Sequence, residues 1–126
     1  MDRKELVDYI YEIYGAKEEY PWESAPGYAV FRHSDNKKWF AVIMNISKSK
    51  LGLSETEVAD VVNLKCDPIL IGSLRNEKGI FPAYHMSKTN WISVLLDGSV
   101  DDDKFKWLLD ISFDLTMKKT KNKFRI

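Results

Sequence analysis

The run Trp39-Phe40-Ala41-Val42-Ile43-Met44, continuing through Asn45-Ile46-Ser47, is apolar at six successive positions. A strand covered on only one face alternates apolar with polar, so apolar side chains at both parities predict an internal strand covered on both faces. Polar turn residues precede it at Ser34-Asp35-Asn36-Lys37-Lys38, and the run from Tyr28 to His33 before them reads as a strand of its own. These two strands form an antiparallel hairpin with a polar, exposed tip. Beyond Gly52, Val58 to Lys65 reads as a third strand.

Working outward, Asp2 followed by Glu5 has the spacing of a capping box. Leu6, Val7, Ile10, Ile13 and Tyr14 then recur at helical spacing before Gly15, which predicts a helix over 2–14. Asp67-Pro68 is a second helix start, because Asp accepts from orphan amides and Pro at the first position forfeits no hydrogen bond. That helix runs to about Arg75, with Leu70, Ile71 and Leu74 as its buried stripe. Phe81 to Met86 and Trp91 to Leu96 read as two strands around Ser87-Lys88-Thr89-Asn90. Ser99 is the cap candidate of a last helix, with Asp101, Asp102 and Asp103 in its first turn and Phe105, Leu108, Leu109, Ser112, Phe113 and Thr116 on one face. Strands joined by short turns cannot be parallel neighbours. The expectation is an α+β fold, a two-layer sandwich with an antiparallel sheet and helices on one face. It forms one domain over 1–126, ending in a basic tail at 118–126.

The 126 residues carry 19 Lys+Arg and 19 Asp+Glu, and 44% are hydrophobic. At this length the chain buries enough surface to fold without disulfides, and the single Cys66 can form none internally. One thiol, no long apolar run and no apolar signal-peptide segment together predict a cytoplasmic protein with no membrane contact; a monomer is expected, although none of these features fixes the oligomeric state. His33, His85 and Cys66 have no metal-ligand spacing, and Gly72, Gly79 and Gly98 are isolated, so neither a metal nor a cofactor is expected. Cys66 beside Lys65, with His85 as a base, is the one nucleophile candidate. Its place at the end of an apolar strand favours a buried, inert thiol, and no catalytic residue is expected.

Charge is unevenly spread. Residues 1–63 carry 8 basic and 11 acidic groups and residues 64–126 carry 11 and 8, and five of the last nine residues are basic, beginning with Lys118 and Lys119. Lys37, Lys38 and Lys88 fall on hairpin tips beside Trp39 and Trp91. Lysines attract a phosphate backbone and aromatic rings stack on unpaired bases, so these residues are the candidate nucleic-acid contacts, weak and not sequence-specific. The alternative partner is another protein, a peptide lying on the open sheet face or along an edge strand.

Lys65-Cys66-Asp67-Pro68, then Leu74-Arg75, Ala83-Tyr84-His85-Met86, Lys88, Trp91, Leu96-Asp97-Gly98 and the helix to Ser112-Phe113-Asp114-Leu115 together resemble the MmcQ/YjbR family, over about residues 28–117. Ser87 and Asn90 stand where that family usually shows Asn and His, and Phe113 where it shows Tyr. The resemblance implies a compact α+β fold like those of bacterial frataxin and type III secretion chaperones. It also implies a DNA-binding role through two hairpin wings, with Lys65, Cys66, Asp67, Pro68, Arg75, Tyr84, His85 and Met86 as the family's motif residues.

Overall fold

The computed structural model describes residues 1–118. Asp2 accepts from the Glu5 amide at 2.8 Å and its own amide donates to the Glu5 carboxylate at 3.0 Å, so both orphan donors at the start of α1 (Arg3–Tyr14) are satisfied. Gly15 ends the helix in the left-handed conformation at φ 70°, where a side chain would be strained. α1 buries Leu6 and Ile10, with Val7 and Tyr14 half-buried beside them, whereas Ile13 is exposed.

The strands are β1 (Ala29–Arg32), β2 (Trp39–Ser47), β3 (Val58–Lys65), β4 (Ile80–Pro82) and β5 (Trp91–Leu95). A short 3-10 turn, Lys48–Leu51, follows β2. The sheet is antiparallel throughout, in the order β1-β2-β3-β5-β4. β2 is therefore internal, as its two apolar faces demand, with six of its positions from Phe40 to Ile46 buried.

After β3 the chain enters α2 (Pro68–Leu74), whose cap Asp67 accepts from the Ile69 amide at 2.9 Å. Ile71 and Leu74 are buried as expected, while Leu70 is half-buried. The last helix, α3 (Asp102–Thr116), buries Phe105, Leu108, Leu109, Ser112 and Thr116. Its cap is Asp101 and not Ser99, because the Ser99 hydroxyl and amide both turn back to the Asp97 carboxylate. The expected strand over 81–86 is also shorter, ending at Pro82. Pro82 has no amide to extend the ladder, and side chains of the sheet capture the peptide groups of Tyr84.

The three helices lie on one face of the sheet. The main core fills that side with Leu6, Ile10, Phe31, Phe40, Ile43, Leu64, Phe105 and Leu108. Burying each such side chain is worth roughly 1.5–3 kcal/mol, which makes this layer the main source of stability. Among the described residues the opposite face has no α-helix. Val30, Val42, Met44, Ile46, Val61 and Leu95 are nonetheless buried there, covered by the 22–28 segment, the 81–86 segment, and Leu51 and Leu53 after β2.

Candidate functional site

Both hairpin connections, 33–38 and 83–90, leave the same end of the sheet, since Arg32 pairs with Trp39 and Lys65 with Trp91. A β-bulge shapes this end. Phe31 pairs with Ala41 but Arg32 with Trp39, leaving Phe40 as the extra residue. Consecutive Phe40 and Ala41 both join the helix-side core, and Trp39 is turned to the helix-free face with Val42 and Met44. Lys65 and Trp91 have the parity of Val61 and Leu95, so they share that face. Trp39, Lys65 and Trp91 thus lie side by side on three neighbouring strands, each half-buried.

A serine fixes the geometry beneath them. By continuation from the Ala41 and Leu64 pair, Phe40 lies opposite Lys65, yet their backbones do not bond directly. The buried Ser112 hydroxyl accepts from the Lys65 amide at 2.8 Å and donates to the Phe40 carbonyl at 2.5 Å. A side chain of α3 replaces one rung of the sheet ladder.

Next to the Trp39 ring the helix-free face opens into a cleft of about 280 Å³ lined by Trp22, Tyr28, Trp39, Met44, His85 and Met86. Trp22 sits edge-on to Trp39 at 5.5 Å and to Tyr28 at 6.1 Å. Burial pushes the Tyr28 phenol above its ordinary pKa, and Tyr84 adds to the shift.

The wall that carries His85 is fastened by polar groups buried in the sheet. Asn63 and Ser93 are fully buried on this apolar face. Ser93 Oγ accepts from the Tyr84 amide at 3.0 Å and donates to Asn63 Oδ1 at 2.5 Å, and Asn63 Nδ2 donates to the Tyr84 carbonyl at 2.8 Å. Lys88 Nζ donates to the Ala83 carbonyl at 2.8 Å. His85 follows with φ 61°, a left-handed conformation that is uncommon outside glycine, and its ring lies 3.9 Å from that of Tyr84.

The expected nucleic-acid contacts and the family's motif residues therefore divide. Trp39, Lys65, Trp91, Tyr84, His85 and Met86 come together on or beside the helix-free face. Lys38 is exposed on the adjoining tip, and the Lys88 side chain folds back on its own loop. Lys37, also left-handed at φ 64°, lines a separate depression of about 870 Å³ between the ends of α1 and α3, with Lys17, Arg32, His33, Phe113 and Lys118. Lys119 lies outside the described residues. Asn36 ties this tip to α3 through the Thr116 carbonyl at 2.9 Å.

The Lys-Cys-Asp-Pro element has a structural account: strand end, buried thiol, helix cap and first helical residue. Burial pushes the Cys66 thiol above its ordinary pKa, and its amide donates to the Asn90 carbonyl at 2.8 Å. Arg75 caps the end of α2 and is exposed. His33 is buried, Nε2 2.8 Å from Thr116 Oγ1 and 3.1 Å from the Phe113 carbonyl, a packing role at the end of α3. Among the described residues no three His, Cys, Asp or Glu side chains are grouped to hold a metal ion.

Trp22, Tyr28, Asn63 and Ser93 were not among the expected site residues. A polar Asn63 within Val61-Val62-Asn63-Leu64 is the signal that could have found the fastening. An amide at a buried position of an apolar strand needs a partner, and that partner is the segment it holds.

The YjbR family model matches residues 11–115, which include every residue of the cleft. The uncharacterised protein YyaQ of Bacillus subtilis is 41% identical over 116 residues, 92% of this chain and 98% of YyaQ. The uncharacterised YjbR of Escherichia coli K12 is 31% identical over 90 residues, 70% of this chain and 74% of that protein. A crystal structure of a Pseudomonas syringae protein superposes with a TM-score of 0.91 at 47% identity, covering 93% of this chain and all (100%) of that one. The Deinococcus radiodurans protein DR2400, described as a DUF419 domain, superposes with a TM-score of 0.72 at 25% identity, covering 98% of this chain and 86% of that one.

Proposed function

The chain belongs to the YjbR family, and on that premise we propose that it is a non-enzymatic domain whose helix-free sheet face takes a single strand of nucleic acid. The observation that carries this reading is the row Trp39, Lys65 and Trp91, set where both lysine-bearing turns emerge. Half-buried aromatic rings between cations suit unpaired bases joined by phosphates, and base stacking on such rings is worth about 1–3 kcal/mol per base. Lys38, Lys65 and Lys88 form no ion pair with a carboxylate among the described residues, which leaves their charge available to phosphate.

Base-edge readout by arginine has little support. Arg3 is committed to the Gly27 carbonyl and Asp60, and Arg32 makes a two-pronged pair with Glu19. A peptide added as an extra strand is also less well served. Glu19 already pairs with Val30 on the outer edge of β1, and β4 is only 3 residues long and ends in proline.

The test is fluorescence anisotropy with a labelled single-stranded oligonucleotide over a series of salt concentrations. Each phosphate neutralised should add about 0.7 to the slope of log affinity against log salt. Changing Lys38, Lys65 and Lys88 together to Gln should flatten the slope and weaken every sequence alike. Absence of binding at low salt would overturn the proposal.

A further inference from the structure

We infer that the cleft beneath His85 is a pocket for one unpaired nucleobase, and that His85 is the residue that discriminates among bases there. The inference builds on the single-strand reading and names which part of the face reads the strand and which part only holds it.

Size and lining come first. A cleft of about 280 Å³ lies just below the roughly 300–1,000 Å³ range of small-molecule sites, so it takes one ring system and no more. Trp22, Tyr28, Trp39, Met44 and Met86 offer apolar and aromatic contact to a flat ring. His85 and Ser24 are the exposed polar side chains among these walls, whereas Asn63 at the floor already uses its amide and carbonyl on Tyr84 and Ser93. One nitrogen of a neutral imidazole donates and the other accepts, in diverging directions, so His85 can offer a base edge a single hydrogen bond of either sense. Lys65 and Lys38 stand next to Trp39 and lack carboxylate partners among the described residues, a charge complement to the phosphates flanking a seated base.

The construction of the wall supplies the second argument. Fully buried Asn63 and Ser93 are costly on an apolar face unless every polar group is paired. Here they are spent on both peptide groups of Tyr84, the residue immediately before a histidine with φ 61°. Backbone strain at a non-glycine residue persists only where its surroundings enforce it, and it concentrates at binding sites. Packing alone does not need this histidine, because it is exposed; its constrained conformation directs an imidazole to the mouth of the cleft.

The experiment compares the wild-type chain with His85→Gly and His85→Asn, using octamers of dA, dC and dT and an abasic octamer of the same phosphate charge. Glycine is at ease at positive φ, so the first variant keeps the fold while removing the imidazole. Asparagine tolerates the same backbone and keeps one donor and one acceptor. The expected result is that His85→Gly binds the wild type's preferred base octamer about tenfold more weakly. Affinity for the abasic octamer should not change, and His85→Asn should recover part of the loss. Equal binding of every base octamer by wild type and His85→Gly would overturn the inference while leaving the single-strand reading standing. Absence of binding to any octamer would overturn both.

Discussion

Replacing Ser112 with alanine removes a hydroxyl that stands in for a rung of the sheet. In the wild-type chain the Lys65 amide donates to Ser112 Oγ at 2.8 Å, and Ser112 Oγ donates to the Phe40 carbonyl at 2.5 Å. Alanine leaves one donor and one acceptor without partners where the serine is 0% exposed. A buried polar group stripped of its partner costs about 1–3 kcal/mol, and partial closure of the gap between the strands recovers some of that. The expected loss is therefore about 2–4 kcal/mol, a large share of the roughly 5–15 kcal/mol typical of a domain. At about 4 °C per kcal/mol, Tm should fall by roughly 8–16 °C. Urea unfolding followed by circular dichroism measures it, with the midpoint moving down and the slope unchanged. The Lys65 amide should also exchange with solvent faster than its neighbours in β3. Ser73→Ala is the control: its exposed hydroxyl bonds only to the Leu70 carbonyl of the same helix, so the change should stay within about 0.5 kcal/mol. A loss in Ser112→Ala no larger than the control's would show that Phe40 and Lys65 can bond directly, and the bridging argument would be wrong.

Three further outcomes are expected. Cys66 is buried and its thiol is pushed up in pKa, so it should stay protonated through neutral pH and react with thiol reagents far more slowly in the native chain than in urea; rapid stoichiometric labelling of native protein would contradict this. Burial opposes ionisation of Asp97, but its bonds from the Ser99 hydroxyl and amide, with Lys48 adding, hold the carboxyl below its ordinary pKa. The resulting stabilisation is present above the unfolded pKa of about 3.9 and is lost as pH falls through the folded value; thermal melts should show the advantage of wild type over Asp97→Asn near pH 6 shrinking below about pH 4. His85→Gly relieves about 1–2 kcal/mol of left-handed strain against about 0.5–1 kcal/mol for the greater freedom of glycine in the unfolded chain. A Tm higher by a few degrees is expected in a melting scan, whereas a fall would mean that contact with Tyr84 outweighs the strain.

Local signals located most of the elements. Apolar side chains at both parities of Trp39–Ser47 placed β2 inside the sheet, and the boundaries of β2 and β3 agree with the structure residue for residue. Asp2 with Glu5 and Asp67 with Pro68 cap their helices as their chemistry predicts. The misreadings occur where a distant or competing partner decides. Tyr84 to Met86 has the composition of a strand, but Asn63 and Ser93 claim the Tyr84 peptide groups from within the sheet. Ser99 and Asp101 are both capable caps. The carboxylate of Asp97 engages the Ser99 hydroxyl, and Asp101 is left to accept from Asp103.

The site divides along the same line. Trp39, Lys65, Trp91, Tyr84, His85 and Met86 stand out as residue types, and strand parity brings Lys65 and Trp91 to one face, yet the arrival of Trp39 there depends on a single extra residue, Phe40, whose bulge turns it away from the helices. Trp22 reaches the cleft from an irregular segment with no periodicity to reveal its direction, whereas Tyr28 shares the parity of Val30 in β1. Lys37 and Lys38 are adjacent in sequence, and the left-handed backbone at Lys37 sends that lysine into the depression lined by Lys118. The departures from ideal geometry or packing at this end of the sheet are the bulge, the serine-bridged rung, the buried Asn63 and Ser93 pair and the strained His85. A sequence selected for stability alone has little reason to gather four such features around three half-buried aromatic and cationic side chains. Each one fixes the position of a residue in the row or the cleft: Trp39 through the bulge, Lys65 through Ser112, and His85 through Asn63 and Ser93. The fold is least regular where the proposed strand would lie, and that coincidence ties the cleft and the row into one binding surface.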